Sequence, residues 1–361
     1  MMPEQKAGGR NLSLDYMRLV LMFMIVCLHV NPSGIHLKPG FSFNQNAFRL
    51  IESICIIAVN AFVMLTGYFQ CQKSFRFSKL VMLEVQVLFY SVGIYLVAAA
   101  AGEETLSFYN FWWSCQPVIT EKYWFITAYM LMYALTPILN IVIRSLNRSQ
   151  HRWLLIIIMA VSFIVNDLTA KTEAVYFKDG YSYIWFFVLY FTGAYIRKYG
   201  FDLKHPFVCY LLCTLANFGL TLALVWADGR LSLSEYHTVF AYCSVLNYFS
   251  SICLFTFFAN AKVSFGGRFI STVRPAVLGV YLIHMHKDVK YRWFSWFKVL
   301  RSDSTQILRF FAAVIFVFTL CLLIDLVRVR LFRLIFRKPL LDKIDGVFDR
   351  FVSRHINKDS T

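Results

Sequence analysis

Ten apolar stretches run through this chain, over residues 12–31, 47–70, 79–101, 122–143, 153–169, 181–199, 206–227, 238–260, 272–286 and 307–333. A helical bilayer span needs about 20 predominantly apolar residues, so most of these are long enough, and the fifth and ninth are short. In hydrocarbon every backbone N–H and C=O must be satisfied within the protein, which leaves helices as the structure for runs of this length. The spacing predicts an all-α integral membrane protein with about ten transmembrane helices. Charged residues make up 16% of the chain, against about 25% in soluble domains, which excludes an ordinary soluble α/β enzyme. The 37 phenylalanines fit lipid-facing helices.

The net charge of +16 does not point to nucleic acid, because the basic residues lie in short loops between the apolar runs. Lys and Arg concentrate in cytoplasmic loops. With the N-terminus inside, those loops carry Lys73, Arg76 and Lys79; Arg144, Arg148 and Arg152; Arg197, Lys198 and Lys204; and Lys262, Arg268 and Arg274. The end of the last run and the tail add Arg328, Arg330, Arg333, Arg337 and Lys338. The opposite loops are poorer in Lys and Arg, with Lys38, Arg49, Lys122, Lys171, Lys178 and Arg230. They also hold acids such as Glu103, Glu104, Glu121, Glu173 and Glu235. This alternation predicts N-in, C-in and a multi-pass protein of the cell (inner or plasma) membrane, with the lipid bilayer as its first partner. One loop disagrees: Lys287 to Arg301 is basic yet falls outside. Either its aromatic run Trp293 to Phe297 lies on the membrane as an interfacial amphipathic segment, or the ninth run is not a span as drawn. The first run, bearing Asp15 and Arg18 with no small-residue cleavage site after it, reads as a retained helix. The chain divides into a transmembrane domain, 1–338, and a short basic cytoplasmic tail, 339–361, expected as an amphipathic helix.

The first run carries the most expensive residues. Arg18 and His29 are eleven positions apart; at 100° per residue that is three turns plus roughly 20°, so both share one helix face. Asp15 lies roughly 60° from Arg18 on the same side. Ionisable groups inside a membrane face a bundle interior or a wet cavity and mark function by default. Arginine holds phosphate or carboxylate; histidine takes and returns a proton near neutral pH. The helix thus offers an anion clamp at one depth and a base roughly 16 Å further along. The bland alternative is an Arg18–Asp15 pair that packs helices, with His29 hydrogen-bonded at an interface.

Other polar groups are weaker signals. Glu84 in the third run either meets substrate or pairs with a neighbouring helix. His284 ends the ninth run, and His286 is expected at the surface. Trp124, Phe125, Tyr129 and Tyr133 can stack on sugar rings, although an aromatic belt also accounts for Trp124. Asp325 is expected to pair with Arg328 one turn on. Asn166 and Asp167 close the fifth run as interfacial residues. The nine cysteines have no zinc or disulfide spacing and read as small apolar packing residues, so no metal is expected.

Several of these residues fall into an ordered set. Leu14-Asp15-Tyr16-Met17-Arg18 followed by His29 resembles the first helix of the membrane-bound acyltransferase 3 family, whose hallmark is an arginine, ten residues, then a histidine. Asn60 to Tyr68 resembles the second-helix pattern, with Thr66 where serine is usual. Tyr123-Trp124-Phe125 with Tyr129, Tyr133, Pro137 and Asn140 resembles the fourth-helix signature. Val280-Tyr281-Leu282-Ile283-His284 resembles the late Tyr-Leu-Ile-His motif. The resemblance covers residues 11 to about 333.

The resemblance implies transfer of an acyl group, most often acetyl from acetyl-coenzyme A as co-substrate. The implied acceptor is a hydroxyl of a cell-surface glycan or a lipid-linked saccharide. It implies catalysis by His29, with Arg18 binding or orienting the donor; from its place one turn away, Asp15 is expected to orient Arg18. The family's Arg-x-x-Arg motif corresponds to Arg76-Phe77-Ser78-Lys79, in which lysine keeps the charge but loses bidentate geometry. Arg76 and Lys79 are therefore expected donor contacts. Trp124, Tyr129, Glu84, Tyr281 and His284 are expected to bind the acceptor. The alternative from another class is a transporter or flippase for a polysaccharide or small anion, using Arg18 and His29 as an ion or proton relay. No inverted repeat or matched pair of broken spans supports it.

Overall fold

The structure, a computed structural model, describes residues 11–31, 40–164, 178–228, 239–290 and 292–355; the expectations for Lys38, Asn166, Asp167, Lys171, Glu173, Arg230 and Glu235 lie outside these. The described residues are mostly helical, with no strand among them. In chain order the helices are α1 (Leu12–Val30), α2 (Phe43–Cys55), α3 (Ala58–Gln70), α4 (Phe77–Ala100), α5 (Phe108–Ser114), α6 (Trp124–Ala134), α7 (Thr136–Ser145) and α8 (Arg148–Ser162). They continue with α9 (Tyr183–Tyr199), α10 (Pro206–Asp228), α11 (Val245–Asn260), α12 (Gly267–Val273), α13 (Val277–His284), α14 (Lys287–Lys290), α15 (Arg292–Phe297), α16 (Gln306–Ile335) and α17 (Lys338–His355).

Among the described residues, five segments are long and apolar enough to cross a membrane: α1, Phe43–Gln70 (α2 with α3), α4, Pro206–Ala227 and α16. A sixth forms if α6 and α7 count as one span bent by 57°. Pro137 opens α7; it has no N–H to give the preceding turn, and the chain bends there. The expected ninth span is likewise interrupted. Pro275 lies in a single 3₁₀ turn, Arg274–Ala276, between α12 and α13. The runs expected over 153–169, 181–199 and 238–260 contain helices of 15, 17 and 16 residues. Five or six spans are thus supported by length and composition among the described residues, and the count of ten is not reached there.

Two glycines allow α3 and α9 to touch backbone to backbone. A Cβ on Gly67 would lie 2.1 Å from the Tyr190 carbonyl oxygen, and one on Gly193 would lie 2.1 Å from the Met64 carbonyl oxygen. Small residues at such crossings are the usual way membrane helices gain close packing. Polar side chains lock the same crossing. Trp185 Nε1 donates to Asn60 Oδ1 (2.9 Å), and Asn60 Nδ2 donates to the Tyr242 carbonyl (2.8 Å). The Tyr190 hydroxyl donates to Asn140 Oδ1 (2.8 Å). Elsewhere Arg328 and Asp325 form the expected buried pair at 2.6 Å, and the Tyr90 hydroxyl donates to the same carboxylate.

One end of the bundle gathers the basic loops. The start of α1, the end of α3, the start of α4, the end of α9 and Arg274 meet there around a common cavity. The tail helix α17 packs against the start of α4 through Arg76–Asp345 and the stacked rings of Phe77 and Phe348. At α14 and α15 the basic segment that disagreed with the loop-charge rule has local partners. Lys287 pairs with Glu104 and Arg292 with Glu103, while Phe297 packs on Phe316 of α16. His286 is a correction: it is fully buried rather than at the surface, with Nε2 facing the Ser91 carbonyl at 3.3 Å.

Candidate active site

The cavity at the basic end has a volume of about 670 Å³. Helix α1 enters it at its first turn. Asn11 caps the helix by accepting from the Leu14 N–H (3.1 Å), and Asp15 and Arg18 follow on the cavity side. Asp15 is 2% exposed and pairs with Arg18; Arg274 reaches the same carboxylate at 3.6 Å. The Arg18 guanidinium lies over the Phe69 ring at 5.0 Å. Asp15 therefore orients Arg18 without exhausting its donors. Lys73, Lys79 and Arg197 complete the lining, which places five cations around one carboxylate. A half-enclosed space with that balance favours an anion with several charges.

A second, narrow cavity of about 20 Å³ lies further along α1, lined by Met22, Ile25 and His29. Trp124, Tyr242 and Tyr281 form its aromatic side. Phe62, Phe125 and Leu278 line both cavities, so the two adjoin at an apolar constriction. His29 Nδ1 lies 2.8 Å from Nε2 of His284, and His284 Nδ1 lies 2.6 Å from the Val280 carbonyl oxygen. The His29 and Tyr281 rings are 6.3 Å apart. Trp124 stacks with Tyr242 at 6.2 Å and 25°, and Tyr181 packs 4.5 Å from Trp124.

A family model described as an acyltransferase domain matches residues 11–326, nearly the whole chain. The chain belongs to the acyltransferase 3 family. No curated protein and no solved structure matches it beyond chance. As an acyltransferase carrying several apolar helices it is a membrane protein.

The sequence-predicted residues of this acyltransferase divide into three groups. Asp15, Arg18, Lys79 and Tyr129 line the large cavity, where Tyr129 accepts from Thr66 at 3.3 Å. His29, Trp124 and Tyr281 line the narrow one, and His284 packs behind His29. Arg76 and Glu84 line neither. Arg76 instead holds Asp345 at 2.8 Å and Asp342 at 2.9 Å. In the sequence Lys73, Arg197 and Arg274 read only as loop charges and Phe62 only as part of the second-helix pattern, while Leu278, Tyr181 and Tyr242 do not stand out. Basic residues near span ends gave a faint signal for the first three; nothing local marked the last three.

Proposed function

We propose that this protein is an O-acyltransferase that moves an acyl group, acetyl first among the candidates, from acyl-coenzyme A to a hydroxyl of a cell-surface glycan or its lipid-linked precursor. The observation that carries the reading is the shared constriction: a cation-rich cavity adjoins, through Phe62, Phe125 and Leu278, a narrow chamber holding His29. A phosphorylated nucleotide carrier attached to a slender thioester arm has that shape and charge distribution. The phosphates meet Arg18, Lys73, Lys79, Arg197 and Arg274 in an orientation that places the basic end in the cytoplasm of an inner or plasma membrane. The arm passes the constriction, and the thioester reaches His29 roughly 16 Å further along α1. This removes the need for an acyl relay between a cytoplasmic donor and a base deep in the membrane.

His29 acts as general base. It takes the proton of the acceptor hydroxyl as that oxygen bonds to the thioester carbonyl carbon. The carbon–sulfur bond then breaks, and the sulfur leaves with the proton returned by His29, giving an ester and the free thiol. The Tyr281 hydroxyl, on the wall of the same chamber, is the donor assigned to the developing oxyanion. Trp124, with Tyr181 and Tyr242 beside it, offers an aromatic platform for a sugar ring. Tyr129 sits on the donor side of the constriction.

The test is transfer of labelled acetyl from acetyl-coenzyme A into the glycan fraction of membranes that contain the native acceptor. Label appears with the wild type and is lost with His29→Ala. Equal labelling removes His29 as the base. A protein that is folded yet neither binds nor cleaves acetyl-coenzyme A moves the reading to a transporter.

A further inference from the structure

The histidine behind His29 has a chemical consequence for which of the two His29 nitrogens does the work. His284 Nδ1 lies 2.6 Å from the Val280 carbonyl oxygen. A carbonyl only accepts, so that nitrogen carries the hydrogen. His284 is 1% exposed, and its ring nitrogens meet a carbonyl and another imidazole. In its neutral form the ring has a single N–H, already assigned to Nδ1, so Nε2 presents a lone pair. His29 Nδ1 lies 2.8 Å from that lone pair and must donate to it. The remaining His29 nitrogen, Nε2, is then an unprotonated acceptor on the far side of the ring.

We infer that His284 is the positioning residue of the acyltransferase: it fixes His29 as the Nδ1–H tautomer and leaves Nε2 as the nitrogen that takes the acceptor proton. This rests on the reading of His29 as general base. The role parallels that of the carboxylate in a hydrolase triad, which holds the catalytic imidazole in one tautomer and orientation. Here a neutral imidazole supplies the acceptor, so no second charge enters the chamber. When Nε2 takes the proton, Nδ1–H keeps its partner and the imidazolium stays oriented. The support continues through α13. The Tyr123 hydroxyl donates to the Leu282 carbonyl at 3.0 Å, tying that helix to the start of α6. A neighbour that merely filled space would not need a nitrogen at this atom.

The test uses the full-length protein in native membranes, with labelled acetyl-coenzyme A as donor and the glycan fraction as acceptor. His284→Ala lowers kcat by about 10- to 100-fold and leaves KM for acetyl-coenzyme A within about twofold, because orientation of the base is lost while the donor site is untouched. His284→Gln, whose side-chain oxygen can accept near the position of Nε2, recovers most of that loss. A glutamine variant as poor as the alanine variant overturns the inference, as does a wild-type rate in His284→Ala. A readout independent of folding variants is the ¹⁵N spectrum of histidine-labelled wild type, with the His29 signals identified by their loss in His29→Ala. Protonated Nδ1 with bare Nε2 is expected, and the opposite tautomer overturns the assignment. Failure of the underlying reading looks different: His29→Ala would then retain full transfer, whatever His284 does.

Discussion

Arg76 Nε lies 2.8 Å from Asp345 Oδ2, joining the loop before α4 to a tail helix 269 positions away in sequence. The same carboxylate accepts from the Ser78 N–H at 2.7 Å and the Ser78 hydroxyl at 2.8 Å. Asp345 thus satisfies an N–H at the start of α4, where a negative charge also meets the positive end of the helix dipole. Arg76, expected at the donor, holds two acids of the tail in this structure.

The Asp345 contact titrates. Burial works to raise the Asp345 carboxyl, but hydrogen bonds from Ser78 and Arg76 outweigh it and hold the group below its usual range. A lowered folded value means that the contribution to docking is fully present above the ordinary aspartate value, about 3.9, and is lost as pH falls through the lowered one. Hydrogen exchange over residues 338–355 is therefore expected to be slow between roughly pH 5 and 8 and to quicken only under stronger acid. In Asp345→Asn the same segment exchanges fast at neutral pH. Slow exchange in that variant would show that Phe348 and Asp342 hold the tail without the carboxylate.

The crossing of α3 and α9 predicts a sharp contrast among glycines. Gly67→Ala and Gly193→Ala each drive a Cβ to 2.1 Å from a carbonyl oxygen of the other helix, whereas a Cβ on Gly93 meets nothing within 4 Å. The first two are expected to lose about 1–3 kcal/mol or more, the usual cost of overpacking, because backbone cannot swing aside as a flexible side chain can. Gly93→Ala in the interior of α4 should be neutral or stabilising by up to about 1 kcal/mol. Thermal unfolding in detergent, read by fluorescence, separates the three.

The cationic cavity predicts a division between the arginines that line it and Arg76, which does not. Arg197→Ala and Arg274→Ala are each expected to weaken coenzyme A binding by about tenfold, the scale of one charge-assisted hydrogen bond, without changing kcat greatly. Arg76→Ala, whose guanidinium is turned to the tail, is expected to change that affinity far less. Equilibrium binding of labelled coenzyme A to the purified protein measures all three. A deeper loss with Arg76→Ala than with Arg274→Ala would return Arg76 to the donor site.

What could be read in advance follows the range of the interactions. Asp15, Arg18 and His29 share one helix, and their common face follows from the 3.6-residue repeat alone. Asp325 and Arg328 are one turn apart and pair as expected. The Arg197 and Arg274 contributions depend on how α9 and the Pro275 turn approach α1, and no local pattern encodes that approach. The two acids that hold Arg76 lie in the tail, so a motif read in its own neighbourhood could not include them. His286 reads as a surface residue because it follows an apolar run among charges; in the fold it packs against Ser91 and Tyr123, which are distant in sequence, and is buried. Hydropathy is blind to a missing N–H, so the bend at Pro137 and the 3₁₀ turn at Pro275, within two of the expected runs, left no mark in the apolar pattern.

The constriction gives the last prediction. Leu278 lines both cavities, with Phe62 and Phe125 as its partners. Leu278→Trp adds bulk where the donor arm has to pass but leaves the cationic lining untouched. Coenzyme A is therefore expected to bind within about twofold of wild type while transfer falls by about tenfold or more, a loss in kcat rather than in donor affinity. Leu278→Ala opens the same point, and the ratio of butyryl to acetyl transfer is expected to rise by about tenfold or more, the scale of the 1–3 kcal/mol that a methylene is worth in a fitted apolar pocket. Both ratios come from parallel assays with acetyl- and butyryl-coenzyme A on the same membranes. If Leu278→Trp transfers acetyl at the wild-type rate, the acyl arm does not travel between Phe62, Phe125 and Leu278, and the thioester must meet its acceptor on the cationic side of the constriction.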